Sequence, residues 1–434
     1  MAKNIHEIRD PIHIFIHLDS DERKVLDSRP FQRLRYIHQL GLSYLVYPSA
    51  THKRFEHSLG VMELATRVFD VITHKDAVND EIRKLLPEIS NDDKLTYWRR
   101  VLRMAALCHD LGHIPFSHSA EKKLLPEGWS HEKITREIIL SDEMQDIWRN
   151  MTPPIRPEDV VKIAIGPKEA DDLEFTDWET ILAEIIVGDS FGVDRMDYLL
   201  RDSYHAGVAY GKFDHYRLID TLRILVVPDS TEPALGVEEG GIQSAEALLL
   251  ARYFIYSQVY FHQIRRIYDI HLMDFLKEWL PNHEFPISVD EHLKITDNNV
   301  IVALLEAAFD KTKSGHDPAR RIICREHFKP LYKRHPDDIK QNMEAGLAIY
   351  EAARKEFGDE NVRHDKYVQK GSVRDFPVRL SDGGTVSSVY ISDILKNLPI
   401  LSVEYIFINP DIKQAKQWLD ENRIRIIQQK GDEQ

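Results

Sequence analysis

The sequence predicts a mainly α protein: a helical core over residues 1–280, short β-ribbons, and a mixed α/β extension over 281–434. Three observations carry this reading. Leu59, Met62, Ala65, Val68 and Ile72 recur at helical spacing and form a broad apolar face. Comparable periodicity returns over 95–108, 130–140, 157–165, 177–187, 192–203 and 244–280. Beyond Pro281, short helical stretches alternate with runs at 377–380, 386–391 and 405–408, whose β-branched and aromatic residues suit strands.

Near the N-terminus, Pro11 precedes alternating apolar residues up to His17, the pattern of a short strand or hairpin arm. Residues 27–40 mix Leu, Phe and Arg at helical spacing, and 41–51 read as a loop turning at Pro48-Ser49-Ala50. A long helix starts at Glu56. The next helix, 95–108, stops near Gly112, a residue suited to ending a helix. Residues 224–227 and 234–237 form a β-ribbon around a Pro-containing turn.

Of the 434 residues, 43% are hydrophobic and 29% charged, ordinary values for a globular chain with a sizeable core. No run of about 18 apolar residues suits a membrane span, and the first residues lack the apolar stretch of a signal peptide. The two cysteines, Cys108 and Cys324, exclude a disulfide framework or a Cys-rich zinc site, so the expected compartment is the reducing cytoplasm. A net charge of −14 argues against strong nucleic-acid binding while leaving room for a local basic pocket.

The chemistry centres on Cys108-His109-Asp110-Leu111-Gly112-His113. At a helix end, adjacent His and Asp can both turn toward one cation, and this donor pair suits a divalent ion such as iron, manganese, nickel, zinc or magnesium. The same pair also suits ordinary helix-end hydrogen bonds, and the residues leave both readings open. Upstream, Arg54-Phe55-Glu56-His57 puts a histidine at the start of a helix; downstream, Asp194, Tyr198 and Asp202 share one helical face. That face alone equally describes a solvated polar stripe.

Taken together and in order, His57, His109-Asp110 and Asp194 resemble the signature of the HD-domain phosphohydrolases. The segments Asp10-Pro11-Ile12-His13, Phe31-Gln32-Arg33-Leu34-Arg35, Arg54-Phe55-Glu56-His57-Ser58-Leu59-Gly60 and Asp194-Arg195-Met196-Asp197-Tyr198 are similar to the dNTP triphosphohydrolase branch of that family. The likeness covers about residues 5–270. It implies an HD-domain helical core in which His57, His109, Asp110 and Asp194 hold a divalent metal ion.

The resemblance further implies that His113, His118, Glu121 and His131 move protons or stabilise the reaction at the α-phosphate. Arg54, Arg195, Arg252 and Tyr198 would bind triphosphate, whose geometry suits the guanidinium fork. Gln39, Asp202 and Tyr260 would surround the sugar or base, with Arg252 and Tyr260 eight residues apart on one predicted helix. The implied products are a deoxynucleoside and inorganic triphosphate, and the implied assembly is a homo-oligomer, a tetramer first. Asp27, Gln32 and Arg35 match positions that read an activating nucleotide in vertebrate members. Arg9 and Glu238-Glu239-Gly240-Gly241 depart from that pattern, and two acidic residues there would repel a phosphate. Two other activities keep the same motifs: HD hydrolysis of monophosphates, alarmones or cyclic nucleotides, and non-catalytic nucleotide sensing.

Overall fold

In the computed structural model, which describes residues 5–116, 121–228, 230–368 and 375–429, most of the chain is helical and the strands form three small sheets. The N-terminal arm is an antiparallel hairpin of β1 (Ile5–Asp10) and β2 (Ile14–Asp19). A helix missing from the sequence reading follows at Ser20–Leu26, opened by a capping box in which Asp19 and Glu22 satisfy each other's backbone amides.

Residues 27–40 do not form the single helix their spacing suggests. Pro30 starts a short helix at Arg29–Arg33, which tightens into a 3-10 turn over Leu34–Tyr36. The Arg54–Ile72 helix begins two residues earlier than expected, because the Glu56 side chain reaches back to the Lys53 amide. It packs along the Asp92–Cys108 helix, and Pro157–Ile165 and Asp177–Val187 cover that pair, both with the predicted bounds.

The predicted helix over 244–280 is broken. Ile242–Ile255 runs into a π-helical stretch, Tyr256–Tyr260, and extended backbone at His262 then starts a separate helix, Gln263–Trp279. The wider π turn shifts the register of the side chains that follow it, so the spacing of one unbroken helix does not describe Arg252 and Tyr260.

Packing divides the chain into two units whose borders interleave along the sequence. One contains residues 1–255, 285–299 and 372–398; the other contains 256–284, 300–371 and 399–434. The first holds the sheet β3 (Leu222–Val226), β4 (Pro233–Glu238), β7 (Pro377–Arg379), β8 (Thr385–Ser387), in which β4 and β7 run parallel. The second holds β5 (Lys329–Lys333), β9 (Ser402–Ile408), β6 (Val362–Val368), all antiparallel, over a core that includes Ile349, Ala353, Ile406 and Leu419. The expected mixed α/β character of the C-terminal region is present. Among the described residues, no helix is long and apolar enough to cross a membrane.

Candidate metal centre

The Asp92–Cys108 helix ends with His109 at its C-cap, and two successive turns follow: Leu111 N donates to Cys108 O, and His113 N to Asp110 O. These turns keep His109, Asp110 and His113 together. Gly112 is required here for a close approach. A Cβ there would lie 2.1 Å from His131 O and 2.4 Å from Thr135 N, so only glycine lets the His131–Ile139 helix abut the turn.

Four donors converge across three helices. His57 Nε2 lies 3.0 Å from Asp194 Oδ1 and 3.8 Å from Asp110 Oδ2. His109 Nε2 lies 3.4 Å from Asp110 Oδ1 and 3.5 Å from Asp194 Oδ1. The two imidazoles meet edge to face at 5.3 Å. Asp194, with 35% of its side chain exposed against 1–7% for the other three, is the open side of the group.

Behind His57 lies a buried polar layer. His57 Nδ1 is 2.8 Å from Asp197 Oδ2, and His13 Nε2 is 2.8 Å from Asp197 Oδ1. Arg201 donates to both Asp197 oxygens at 2.8 and 3.0 Å and to Asp10 Oδ2 at 2.8 Å. Asp10 Oδ1 in turn caps the hairpin turn, accepting from the Ile12 and His13 amides. Such a carboxylate–histidine arrangement fixes the imidazole's orientation and tautomer. Residue-by-residue reading missed Asp197 and Arg201, since an Asp–Arg pair four apart usually marks a solvated helix face. The available signal was that Asp10, His13 and Asp197 all lie inside the segments that carry the family resemblance.

Gly60 exists for this layer. A Cβ there would lie 1.9 Å from Asp197 Oδ1 and 2.5 Å from Arg201 Nη2. Gly60→Ala is therefore expected to lose about 3 kcal/mol or more of stability by overpacking a buried ion pair. Urea denaturation in the presence of chelator measures this, and an unchanged midpoint would refute it.

On the other flank, buried Arg54 donates to Asp110 Oδ2 at 2.6 Å, so this expected triphosphate ligand braces a metal-ligand candidate. His113 Nε2 is 3.0 Å from Asp110 Oδ1, and its ring stacks on His131 at 3.9 Å. Glu121 Oε1 accepts from the His131 amide and lies 2.6 Å from its Nδ1. His118, the remaining proton-transfer candidate, lies outside the described residues.

Farther along the Val193–Ala206 helix, Asp202 pairs with His52 Nε2 at 2.8 Å, and the His52 ring stacks on His205 at 4.4 Å. Gln39 N donates to His52 O, which brings Gln39, His52 and Asp202 together; His52 was not anticipated. Arg195 reaches the carbonyls of Gly188 and Asp189. Tyr198 and Arg252 are half-buried in the same unit, and Tyr260 belongs to the other. Of the expected regulatory residues, Gln32 contacts both Leu26 O and Arg35, Arg35 lies over the Phe55 ring at 3.5 Å, and Asp27 pairs with Arg23.

Comparison with known proteins is decisive at the level of family. A family model described as HD domain matches residues 54–166, and one described as HD associated region matches 213–369. The fold is similar to a crystal structure of a hypothetical protein from Aquifex aeolicus, with TM-score 0.78 and 34% identity, covering 96% of this chain and 100% of that one. The uncharacterized protein YwfO of Bacillus subtilis is 31% identical over 341 residues, 74% of this chain and 70% of YwfO. The chain belongs to the HD-domain family. It is also similar to the deoxynucleoside triphosphate triphosphohydrolase SAMHD1 of Bos taurus, 32% identical over 75% of this chain and 58% of that protein. The chain spans 47% and 70% of the length of the first two curated relatives it matches.

His57, His109 and Asp110 bring their donor atoms close enough together to hold a metal ion, and this donor set fits a divalent one. The fit rests on His109. Its Nδ1 lies 2.8 Å from Ala106 O and must carry a hydrogen, because a carbonyl only accepts. Its Nε2 is buried and completes no hydrogen bond among the described residues, although two carboxylate oxygens face it. The HD match includes His57, His109 and Asp110, while Asp194 falls between the two matched regions. Electrostatics agree with a cation at this point. Burial pulls the His57 pKa down, but Asp194, Asp197 and Asp110 outweigh it and push it up to about 10.

Around His113 the balance differs. Burial, with Arg54 and His131 nearby, holds the His113 pKa well below the usual histidine range. Burial also opposes charge on His131, but the Glu121 carboxylate prevails and raises its pKa, while Glu121 is itself held below the usual carboxylate range against its burial. Two stacked imidazoles therefore have opposite proton preferences, the arrangement that separates acid from base in one site.

Proposed function

We propose that this HD-domain protein hydrolyses deoxynucleoside triphosphates to a deoxynucleoside and inorganic triphosphate. The observation that carries the reading is the placement of the His113/His131–Glu121 group directly beside Asp110 of the candidate metal centre. The similarity to a protein named deoxynucleoside triphosphate triphosphohydrolase supports the choice of substrate.

In this reading His57, His109, Asp110 and Asp194 hold a divalent ion. When bound, such an ion neutralises charge on a phosphate oxygen and acidifies water. The chain's own residues do the rest. Glu121 keeps a proton on His131, which passes to the 5′-oxygen as its bond to the α-phosphorus breaks and the oxygen of water takes its place, water's proton leaving to solvent, from which His131 is reprotonated. His113, kept neutral, stacks on His131 and steadies that ring. Arg54 and Arg195, with Arg252 and Tyr198, bind the triphosphate, and Gln39 and Asp202 meet the 3′-hydroxyl. Residues 1–280 would be the catalytic core, with 281–434, apart from the 285–299 segment that packs in the same unit as 1–255, serving assembly and regulation. The Asp27, Gln32 and Arg35 cluster would meet an activating nucleotide in a homo-tetramer.

A panel of dNTPs, singly and in pairs, tests this with product identification by phosphorus NMR and metal analysis on the same sample. Inorganic triphosphate is the expected product, with turnover abolished by chelator and restored by a divalent ion. Release of only monophosphate or pyrophosphate would overturn the reading. Activity confined to nucleotide pairs would support the activator, and light scattering with and without nucleotide tests the tetramer.

A further inference from the structure

Residues 285–299 pack in the unit that contains residues 1–255, here the helical unit, and fasten the segment that carries His113. Phe285 N donates to Leu124 O at 2.8 Å. Asp297, completely buried, lies within hydrogen-bond distance of three nitrogens: His38 N at 2.7 Å, His38 Nδ1 at 2.7 Å and Phe116 N at 3.0 Å. Lys53 Nζ closes a chain of contacts at 2.5 Å from His38 Nε2. Phe116 has φ 54°, a left-handed backbone that a non-glycine residue keeps only when its surroundings hold it there.

A second buried ion grips the other end of the same stretch. Arg33 donates to Ile295 O through Nε and Nη2, at 3.0 and 2.9 Å, and to His113 O through Nη1 at 2.9 Å. Among the described residues it makes no ion pair, and burial pulls its pKa down to about 10. A buried guanidinium bonded only to carbonyls contributes little net stability, because its desolvation offsets the bonds it makes. What it does provide is fixed direction between three chain segments that are far apart in sequence.

We propose that Arg33 and Asp297 are positioning residues that hold the backbone from His113 to Phe116, and so set the His113 ring against Asp110 and His131. The catalytic part of this inference rests on the reading of His113 given above. The mechanical part does not.

The test uses the full-length, metal-loaded protein and two conservative variants, Arg33→Lys and Asp297→Asn, with the exposed-pair variant Arg149→Ala as control. Lysine keeps the charge but lacks the fork that joins His113 O to Ile295 O; asparagine keeps one acceptor of two. Hydrogen–deuterium exchange should rise in peptides covering 109–116, with metal content within about twofold of wild type. A loss of about 10- to 100-fold in kcat, larger than any change in KM, should accompany it. Unchanged exchange and kcat in both folded variants would overturn the proposal. So would exchange rising evenly across the helical unit, or failure of both variants to fold, since either outcome assigns the two residues to general stability. If wild type turns over no dNTP yet exchange rises only at 109–116, the positioning stands and the substrate reading falls.

Discussion

Asp197→Asn is expected to lower metal affinity by about tenfold to a hundredfold and to destabilise the fold by about 3 kcal/mol or more. Four nitrogens converge on its two oxygens: His57 Nδ1, His13 Nε2, and Nε and Nη2 of Arg201. An amide offers one acceptor and turns its own donors toward the rest. Arg201 and Asp197 are both fully buried, so water cannot make up the loss. The His57 ring also loses the partner that orients Nε2 toward Asp194. Metal content by mass spectrometry reads the first effect, and urea denaturation with chelator isolates the second. Wild-type metal content together with a wild-type midpoint would sink the prediction.

Glu121→Gln should act on chemistry with the metal centre intact, reducing kcat by about 10²- to 10⁴-fold. Glu121 is the main group that keeps the buried His131 ring protonated; Glu132, 3.3 Å away, and Asp110 add to it, and the stacked His113 ring is neutral. Glutamine removes the charge and lets the His131 pKa fall. The alkaline limb of the kcat profile, set by loss of the His131 proton, should therefore move to lower pH. Stability follows the same sign. The raised His131 pKa contributes stability fully present below its unfolded value of 6.5 and lost as pH rises through the folded value. The lowered Glu121 pKa contributes stability present above 4.5 and lost as pH falls through its folded value. The pair is thus most stabilising between about pH 4.5 and 6.5, where the variant should show its largest deficit. A variant with unchanged rate and an unmoved alkaline limb would remove Glu121 and His131 from the proton path.

Much of the site was legible because its chemistry is written in short motifs. His109 and Asp110 are adjacent, and helix periodicity put His57 and Asp194 on elements long enough to be recognised. The Pro157–Ile165 and Asp177–Val187 helices were predictable to the residue because a proline start and a Thr176 capping box mark their N-termini, and a glycine follows each. The π stretch at Tyr256–Tyr260 was not legible, since apolar and aromatic residues continue through it at spacing compatible with an unbroken helix.

By itself the sequence determined the inventory: two imidazoles and two carboxylates that the resemblance assigns to a cation, a glycine at 60 and at 112, and helices to carry them. Periodicity and capping are local, and local rules suffice where a side chain's role depends on neighbours within one turn. Only the tertiary structure decided which buried charges serve the centre. Asp197 meets His13 across 184 residues, Arg33 meets Ile295 across 262, and Asp297 meets His38 across 259. No spacing rule reaches that far. A charged side chain looks solvent-bound in sequence until packing excludes water from it, and exclusion of water is what turns an ordinary Asp–Arg pair into the frame of a candidate metal centre.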